Sequence, residues 1–330
     1  MISPPSSPGA PVFERTHAFR RYFTRKGYRC EINEWPSSSF EFFCMITRIY
    51  KNKYRFIFIT MPPFRGWWLF FLPGIRIIID FRDGWSIAMR SGYGGTSRPK
   101  VFAAVLARAI EQFAVWRSTL LIVCTPGLQR YHTTKVSRNK IAFIPNGYSQ
   151  SDADFIINSS PVRPLDNQNT RQRIFVCAGK FTEYGKKNVQ DILDIIEKRY
   201  ANYFCKIYIY SRSPKIEIEN LRDLNIAKNL SIEVMGFIDR MDLLLKIKGA
   251  DYGIVIIRDA NYEFGTKIFD YILCGTPIVS SGAWGEVNSY FRFAFDTDYD
   301  PIQLKVDNFS RDLAIERCAR LEYLLSRFDD

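Results

Sequence analysis

Histidine is almost missing: His17 and His132 are the only two in 330 residues. Neither has an evident nucleophile partner and no G-x-S-x-G turn occurs, which disfavours Ser/His/Asp and Cys/His hydrolases. The seven cysteines are odd in number and never spaced C-x-x-C. They read as buried thiols of a reducing compartment, and with no histidine near a cysteine pair a zinc site is not expected. Clustered carboxylates that would hold another metal are lacking as well. Neither G-x-G-x-x-G nor a Walker A loop is present, so the dinucleotide oxidoreductase and P-loop readings fail. The most apolar stretch, RGWWLFFLPGIRIIID, is interrupted by Pro73, Gly74 and Arg76 and falls short of the roughly 20 residues of a spanning helix. MISPPSSPGAP holds no apolar core of a signal peptide. A soluble or peripheral protein is the expectation.

What the chain does have is length, aromatic content and lopsided charge. Its 330 residues exceed one ordinary core and fit two domains of about 150. Apolar residues at 47% and charged residues at 24% mark a globular chain. Residues 1–150 hold 22 Lys/Arg against 7 Asp/Glu, net +15, whereas residues 151–330 are net −3. A strongly basic half beside a near-neutral one needs a polyanion or an anionic surface to explain it.

Both halves alternate short β-branched runs with amphipathic segments of helix length, the pattern of parallel α/β domains. The first half offers strands at 55–60, 75–80, 119–124 and 140–145. The second offers 174–179, 206–211, 231–236, 252–257 and 276–281. Such near-continuous apolar runs suit strands covered on both faces. If Ser3–Pro11 is the first loop of such a domain, only Met1 and Ile2 remain for the strand before it. A polar stretch near 147–172 reads as a linker, and 311–328 as a terminal helix. The predicted domains are 1–150 and 151–330, the latter with a core at 171–305 and a last helix free to pack back on the first domain.

Several segments stand in a telling order over roughly 1–290. They are ISPPSSPGAPVFERTHAFRRYFTRKGYRCEI, then IDFRDGWS (Ile79–Ser86), then KIAFIPNGYS (Lys140–Ser149). CAGKFTEYGKK (Cys177–Lys187), VMGFIDRMDLLLKIKGADYGIVI (Val234–Ile256) and EFGTKIFDYILCGTPIVSS (Glu263–Ser281) follow. Together they resemble the retaining glycosyltransferases of family 4, of the bacterial surface-polysaccharide type. The resemblance implies the GT-B fold: two Rossmann-like parallel-sheet α/β domains with an interdomain cleft and a C-terminal helix. It implies an acceptor-binding first domain and a nucleotide-sugar-binding second domain. The implied activity is that of a hexosyltransferase, moving a sugar from a UDP- or GDP-sugar to a hydroxyl of a lipid-linked or polysaccharide glycan. No cofactor and no metal are implied.

A nucleotide sugar presents a ribose diol, a pyrophosphate and a hexose. Carboxylates accept hydrogen bonds from the hydroxyls, while cations and helix N-termini hold the pyrophosphate and stabilise the leaving phosphate. The resemblance gives Asp270 the ribose hydroxyls. It gives Glu263, one residue short of the family's E-x7-E spacing, the donor sugar; either carboxylate could instead cap or solvate a helix. Phe264, Gly265 and Thr266, opening a helix, offer backbone N–H groups to the pyrophosphate. Lys180 takes the place of the family's arginine, as a point charge without a bidentate fork, and Lys186 or Lys187 takes that of its lysine. An ordinary basic loop is the alternative reading there. Gly236, Phe237 and Ile238 match the loop whose backbone faces the nucleobase. On the acceptor side, Gly9 and Ala10 permit close backbone approach, Asp83 is a candidate polar group and, with Glu263, a catalytic candidate. His17 is a third acceptor-side candidate that also reads as plain helix surface.

The expected chemistry sits at the carboxyl ends of the strands, with closure excluding water. The leaving phosphate assists deprotonation of the acceptor, which suits a chain with no obvious base. The basic half then faces an anionic membrane leaflet. His17–Arg29 mixes basic and aromatic residues, and Trp67–Phe71 either inserts at the interface or forms a core helix. A cytoplasmic protein, peripheral on the inner face of the cell membrane, is expected. The rivals are an epimerase of the same fold, an inactive sugar-binding scaffold and a basic nucleic-acid-binding protein. No recognition motif supports the last and the second half opposes it, so no nucleic-acid partner is expected.

Overall fold

The computed structural model describes residues 1–6, 10–61, 67–91, 101–134, 137–162, 171–282, 287, 289–291, 294 and 309–329. They form two units, Met1–Asn146 with Arg311–Asp330, and Gly147–Ser310. The division therefore falls at 146/147, and the chain's last segment goes with the first unit.

Unit 1 is an all-parallel sheet of β1 (Ile2–Ser3), β2 (Asn33–Glu34), β3 (Phe56–Met61), β4 (Arg76–Phe81), β5 (Leu120–Val123) and β6 (Ile141–Phe143), in the order β2-β1-β3-β4-β5-β6. Its helices are α1 (Pro11–Arg25), α2 (Ser39–Lys51), α3 (Trp85–Ser91), α4 (Val101–Arg117) and α5 (Pro126–Thr133). Side chains alternate along each strand. Phe58, Ile78, Ile122 and Ala142 thus share a core with Ala18, Phe19 and Phe23 of α1. Ser38 and Thr125 start α2 and α5 by accepting the N–H groups of Glu41 and Leu128.

Unit 2 carries α6 (Gln150–Ile157), α7 (Lys186–Arg199), α8 (Pro214–Leu221), α9 (Arg240–Lys248) and α10 (Thr266–Cys274) around a second parallel sheet. Its strands are β7 (Gln172–Ala178), β8 (Phe204–Tyr210), β9 (Leu230–Met235), β10 (Tyr252–Ile256) and β11 (Ile278–Ser281), ordered β11-β10-β7-β8-β9.

The terminal helix expected over 311–328 is in fact two, α11 (Arg311–Glu316) and α12 (Ala319–Asp329). The break lets Ile315 of α11 and Leu321 and Leu325 of α12 all enter the core built on α1. Arg21–Asp312, Arg25–Glu316 and Lys26–Glu322 pair outside that seam, where exposed ion pairs add little. Trp67–Phe71 is a single 3-10 turn that buries Leu69 and Phe70 and exposes Trp68 and Phe71.

In both sheets the earliest strand lies inside the order: β1 between β2 and β3, β7 between β8 and β10. The chain runs outward to one side, then returns and runs to the other. Each sheet thus has a switch point, β1/β3 in unit 1 and β7/β10 in unit 2. Open α/β sheets bind ligands at such points, outside the carboxyl ends of the strands.

Candidate functional site

The β7/β10 switch point is a physical split. Those strands pair only at Phe175↔Tyr252 and Val176↔Gly253, whereas β7 pairs with β8 along its whole length. Past Gly253 the strands part, and Tyr271 of α10 fills the gap. Its hydroxyl lies 3.1 Å from the acceptors Val176 O and Ile254 O and accepts the Ala178 N–H at 3.2 Å. The hydroxyl thus serves three backbone groups that the missing strand pairing leaves without a ladder partner, as a sheet that opens in its core requires. Gly253 is obligatory, since a Cβ would stand 2.6 Å from the Tyr271 ring. Burial, then the neighbouring Cys177, push the Tyr271 phenol well above its ordinary pKa, so it stays a donor.

Two loops flank the split. The first turns at Gly179, φ +81°, passes a 3-10 turn at Thr182–Tyr184, and turns again at Gly185, φ +92°. Glu217 of α8 pins it: the buried carboxylate accepts from the N–H groups of Phe181 at 3.1 Å and Thr182 at 2.8 Å, and from the Thr182 hydroxyl at 2.7 Å. The second loop follows β10 and leads into α10. Gly265, which starts α10, offers no side-chain cap, and the first turn carries the positive end of the helix dipole.

Lys267, in that first turn, joins the loops. Its Nζ donates to Lys180 O at 2.6 Å and lies 3.6 Å from Cys177 Sγ. The Tyr184 ring stands 5.4 Å from Lys267 Nζ and 5.2 Å from the Arg258 guanidinium. Burial works against the Lys267 charge, but its interactions with Cys177 and then Tyr184 outweigh it and raise its pKa. Lys180, Lys267 and Arg258 therefore gather with a helix N-terminus around the carboxyl ends of β7 and β10. That set suits an anion with more than one phosphate.

The structure places the expected site residues unevenly. Lys180 is exposed and paired with Glu183 at 2.5 Å; Lys186 and Lys187 are exposed at the start of α7. Glu263 turns back on its own loop, accepting the Arg258 N–H at 3.1 Å and pairing with its guanidinium at 3.0 Å. Phe264 packs on Tyr290 and Phe291, so its backbone remains for a ligand, beside Gly265 and the half-buried Thr266. Asp270 belongs to a second cluster. Arg240 of α9 takes both its oxygens, at 2.7 and 3.0 Å, and reaches Asp152 of α6 at 2.8 Å. Burial opposes the Arg240 charge, yet Asp270 and then Asp152 outweigh it and raise its pKa.

Gly236 and Phe237 are exposed beyond β9, with the Arg212 guanidinium 4.9 Å from the Phe237 ring, while Ile238 packs on the core. In unit 1, Ala10 starts α1, and Gly9 lies outside the described residues. His17 stacks on Phe13 at 4.0 Å, and partial burial followed by Arg20 lowers its pKa. Asp83 is exposed past the end of β4. The fully buried carboxylate there is Asp80, held by Arg15 at 2.8 Å, and Arg15 also donates to Ile144 O and Pro145 O. Sequence reading missed Lys267, Arg258, Tyr271, Glu217 and Arg240. Lys267 had a signal, since it stands within EFGTK one residue inside the helix start.

No protein-family model and no curated protein sequence matches the chain. Solved structures do. The chain is similar to UDP-GlcNAc 2-epimerase from Methanocaldococcus jannaschii, with TM-score 0.51 and 12% identity over 99% of both chains. It is similar to an alpha-glucosyltransferase in complex with UDP-glucose and DNA containing an abasic site, with TM-score 0.53 and 11% identity over 99% of this chain and 91% of that one. It also matches TarM, with TM-score 0.50 and 13% identity, spanning 57% of TarM's length with 86% of its own. The fold is GT-B. At these identities the likeness is one of fold, and its GT-B neighbours include both transferases and epimerases. Among the described residues no group of His, Cys, Asp and Glu could hold a metal ion, and no helix is long and apolar enough to cross a membrane.

Proposed function

We propose that the chain is a nucleoside-diphosphate-sugar-dependent glycosyltransferase that seats its donor diphosphate at the β7/β10 switch point. The observation that carries this reading is Lys267, which gathers the Gly179–Gly185 loop onto the N-terminus of α10. The GT-B neighbours support it, since one of them is an alpha-glucosyltransferase in complex with UDP-glucose.

In the proposed reaction the acceptor hydroxyl oxygen bonds the anomeric carbon as that carbon's bond to the β-phosphate oxygen breaks. The acceptor proton passes to the leaving phosphate and the nucleoside diphosphate departs. Lys267, Lys180 and the α10 N-terminus stabilise the charge that grows on the leaving oxygen. Asp270 serves the ribose diol through the lone pairs its bond to Arg240 leaves free. Glu263 meets the donor sugar, and Asp83 is the acceptor-side candidate. Retention, a hexosyl donor on UDP or GDP, and family 4 membership rest on the sequence resemblance. The basic first half supports a lipid-linked or polysaccharide glycan acceptor, met at the inner face of an anionic membrane.

A thermal-shift panel of UDP, GDP, ADP and their sugars tests the reading. A ligand that binds only the folded chain raises its melting temperature, and UDP or GDP is expected to do so. If no nucleotide shifts it, the donor site fails.

A second reading has its own support. Likeness to UDP-GlcNAc 2-epimerase from M. jannaschii extends over 99% of both chains. An epimerase would convert a UDP-sugar with no acceptor present, which NMR of the sugar incubated with the protein alone would reveal.

A further inference from the structure

We propose that α4 and the 3-10 turn Trp67–Phe71 of unit 1 form a docking surface for an anionic lipid bilayer. This deepens the membrane-side reading of the acceptor, but it stands on residues that the donor site does not use. A helix facing solvent normally carries polar side chains there. α4 shows instead Phe102, Val105, Leu106 and Trp116, each at least 64% exposed. Its acidic residue, Glu111, is buried and accepts the Ser86 N–H at 2.8 Å.

The neighbouring turn continues the surface with Trp68 and Phe71, both more than half exposed. The rings of Phe71 and Phe113 lie 4.6 Å apart, and Phe113 leads on to Trp116 at 6.0 Å. Arg117 ties the helix to the end of the turn by donating to Leu72 O at 2.7 Å. Leu69 and Phe70 anchor the turn in the core, so the outward aromatics sit on a fixed platform. A continuous apolar patch of this kind marks an interaction surface.

Charge identifies the occupant. Arg108 is exposed on the same helix. Lys140 donates to the backbone Trp116 O at 2.6 Å, which brings a second basic side chain to the end of the helix. Among the described residues of α4 and the turn, no exposed side chain is acidic. Exposed aromatic rings on an element that also carries Arg108 and is joined by Lys140 suit the headgroup layer, the rings at the acyl boundary and the cations at the phosphates. The first 150 residues, at net +15, add attraction to an anionic leaflet.

The test is sedimentation of the full chain with phosphatidylcholine vesicles, with and without phosphatidylglycerol, at low and physiological salt. Binding is expected only with the anionic lipid. Leu106→Glu combined with Trp116→Glu is expected to cut the bound fraction at least tenfold, with melting temperature and UDP shift unchanged. Arg108→Gln and Lys140→Gln should each weaken binding roughly fivefold. The proposal is overturned if wild type ignores anionic vesicles at low salt, or if the double variant binds as well as wild type. It is equally overturned if light scattering finds a dimer that Leu106→Glu turns into monomer, which assigns the face to a second copy. Binding to DNA that the same variants abolish, without vesicle binding, assigns it to nucleic acid. A wild type that binds vesicles but no nucleotide would instead count against the donor reading alone.

Discussion

At the residue scale, burial separates side chains that look alike in sequence. IDFRDGWS offers two aspartates, and nothing in their spacing says that Asp80 is sealed against Arg15 while Asp83 faces solvent. Strand register decides it, because Asp80 still belongs to β4 and Asp83 does not. The cysteines show the same sorting. Cys44 is exposed, while Cys124, Cys177, Cys205 and Cys274 are buried. Burial pushes the Cys124 thiol up to about 12 from the ordinary 9.0. In the unfolded chain that thiol ionises first, so its contribution to stability is complete below pH 9.0 and is lost as pH rises toward about 12. Alkylation near neutral pH, read by mass spectrometry, should therefore modify Cys44 first and leave Cys124 untouched until denaturant is added. Early modification of Cys124 would show that its strand end opens readily.

At the scale of the element, the long strands were legible and the short ones were not. FIFITM, RIIIDF and FCKIYIY are apolar runs that mean a buried strand wherever they occur. Asn33–Glu34 is polar and two residues long, and only pairing with β1 makes it a strand. The break at Arg317–Cys318 was hidden too, because no glycine or proline marks it. The split between β7 and β10 had no local sign, since a tyrosine on a distant helix supports it. Tyr271→Phe removes the hydroxyl that serves Val176 O, Ile254 O and the Ala178 N–H. The expected loss is about 1–3 kcal/mol, seen as a lower urea midpoint at unchanged slope. An unchanged midpoint would mean the strands hold their separation without it.

For the whole molecule, sequence order conceals where the chain ends up. The sequence reading kept 311–328 within 151–330 as a last helix free to pack back on the first domain, and Arg311–Asp330 does belong with unit 1. That return joins residues some 290 positions apart, such as Arg21 and Asp312, and no window of sequence can contain it. The order of strands is likewise a property of the complete sheet, and it is this order that puts Lys267, Lys180 and Arg258 around one opening. The quoted segments point to the neighbourhood of that opening but not to the residue that closes it.

That opening is where the donor diphosphate is proposed to sit. Calorimetric titration of UDP, or of GDP if the panel favours it, into wild type and Lys267→Ala tests it most directly. Loss of one charge-assisted contact corresponds to about 1.5–3 kcal/mol, roughly 10- to 100-fold in Kd. Wild type is expected to show one saturable site, weakened by that factor in Lys267→Ala, with the variant's circular dichroism at the titration temperature matching wild type. Equal affinity in the two proteins, or no nucleotide binding in wild type, would contradict it.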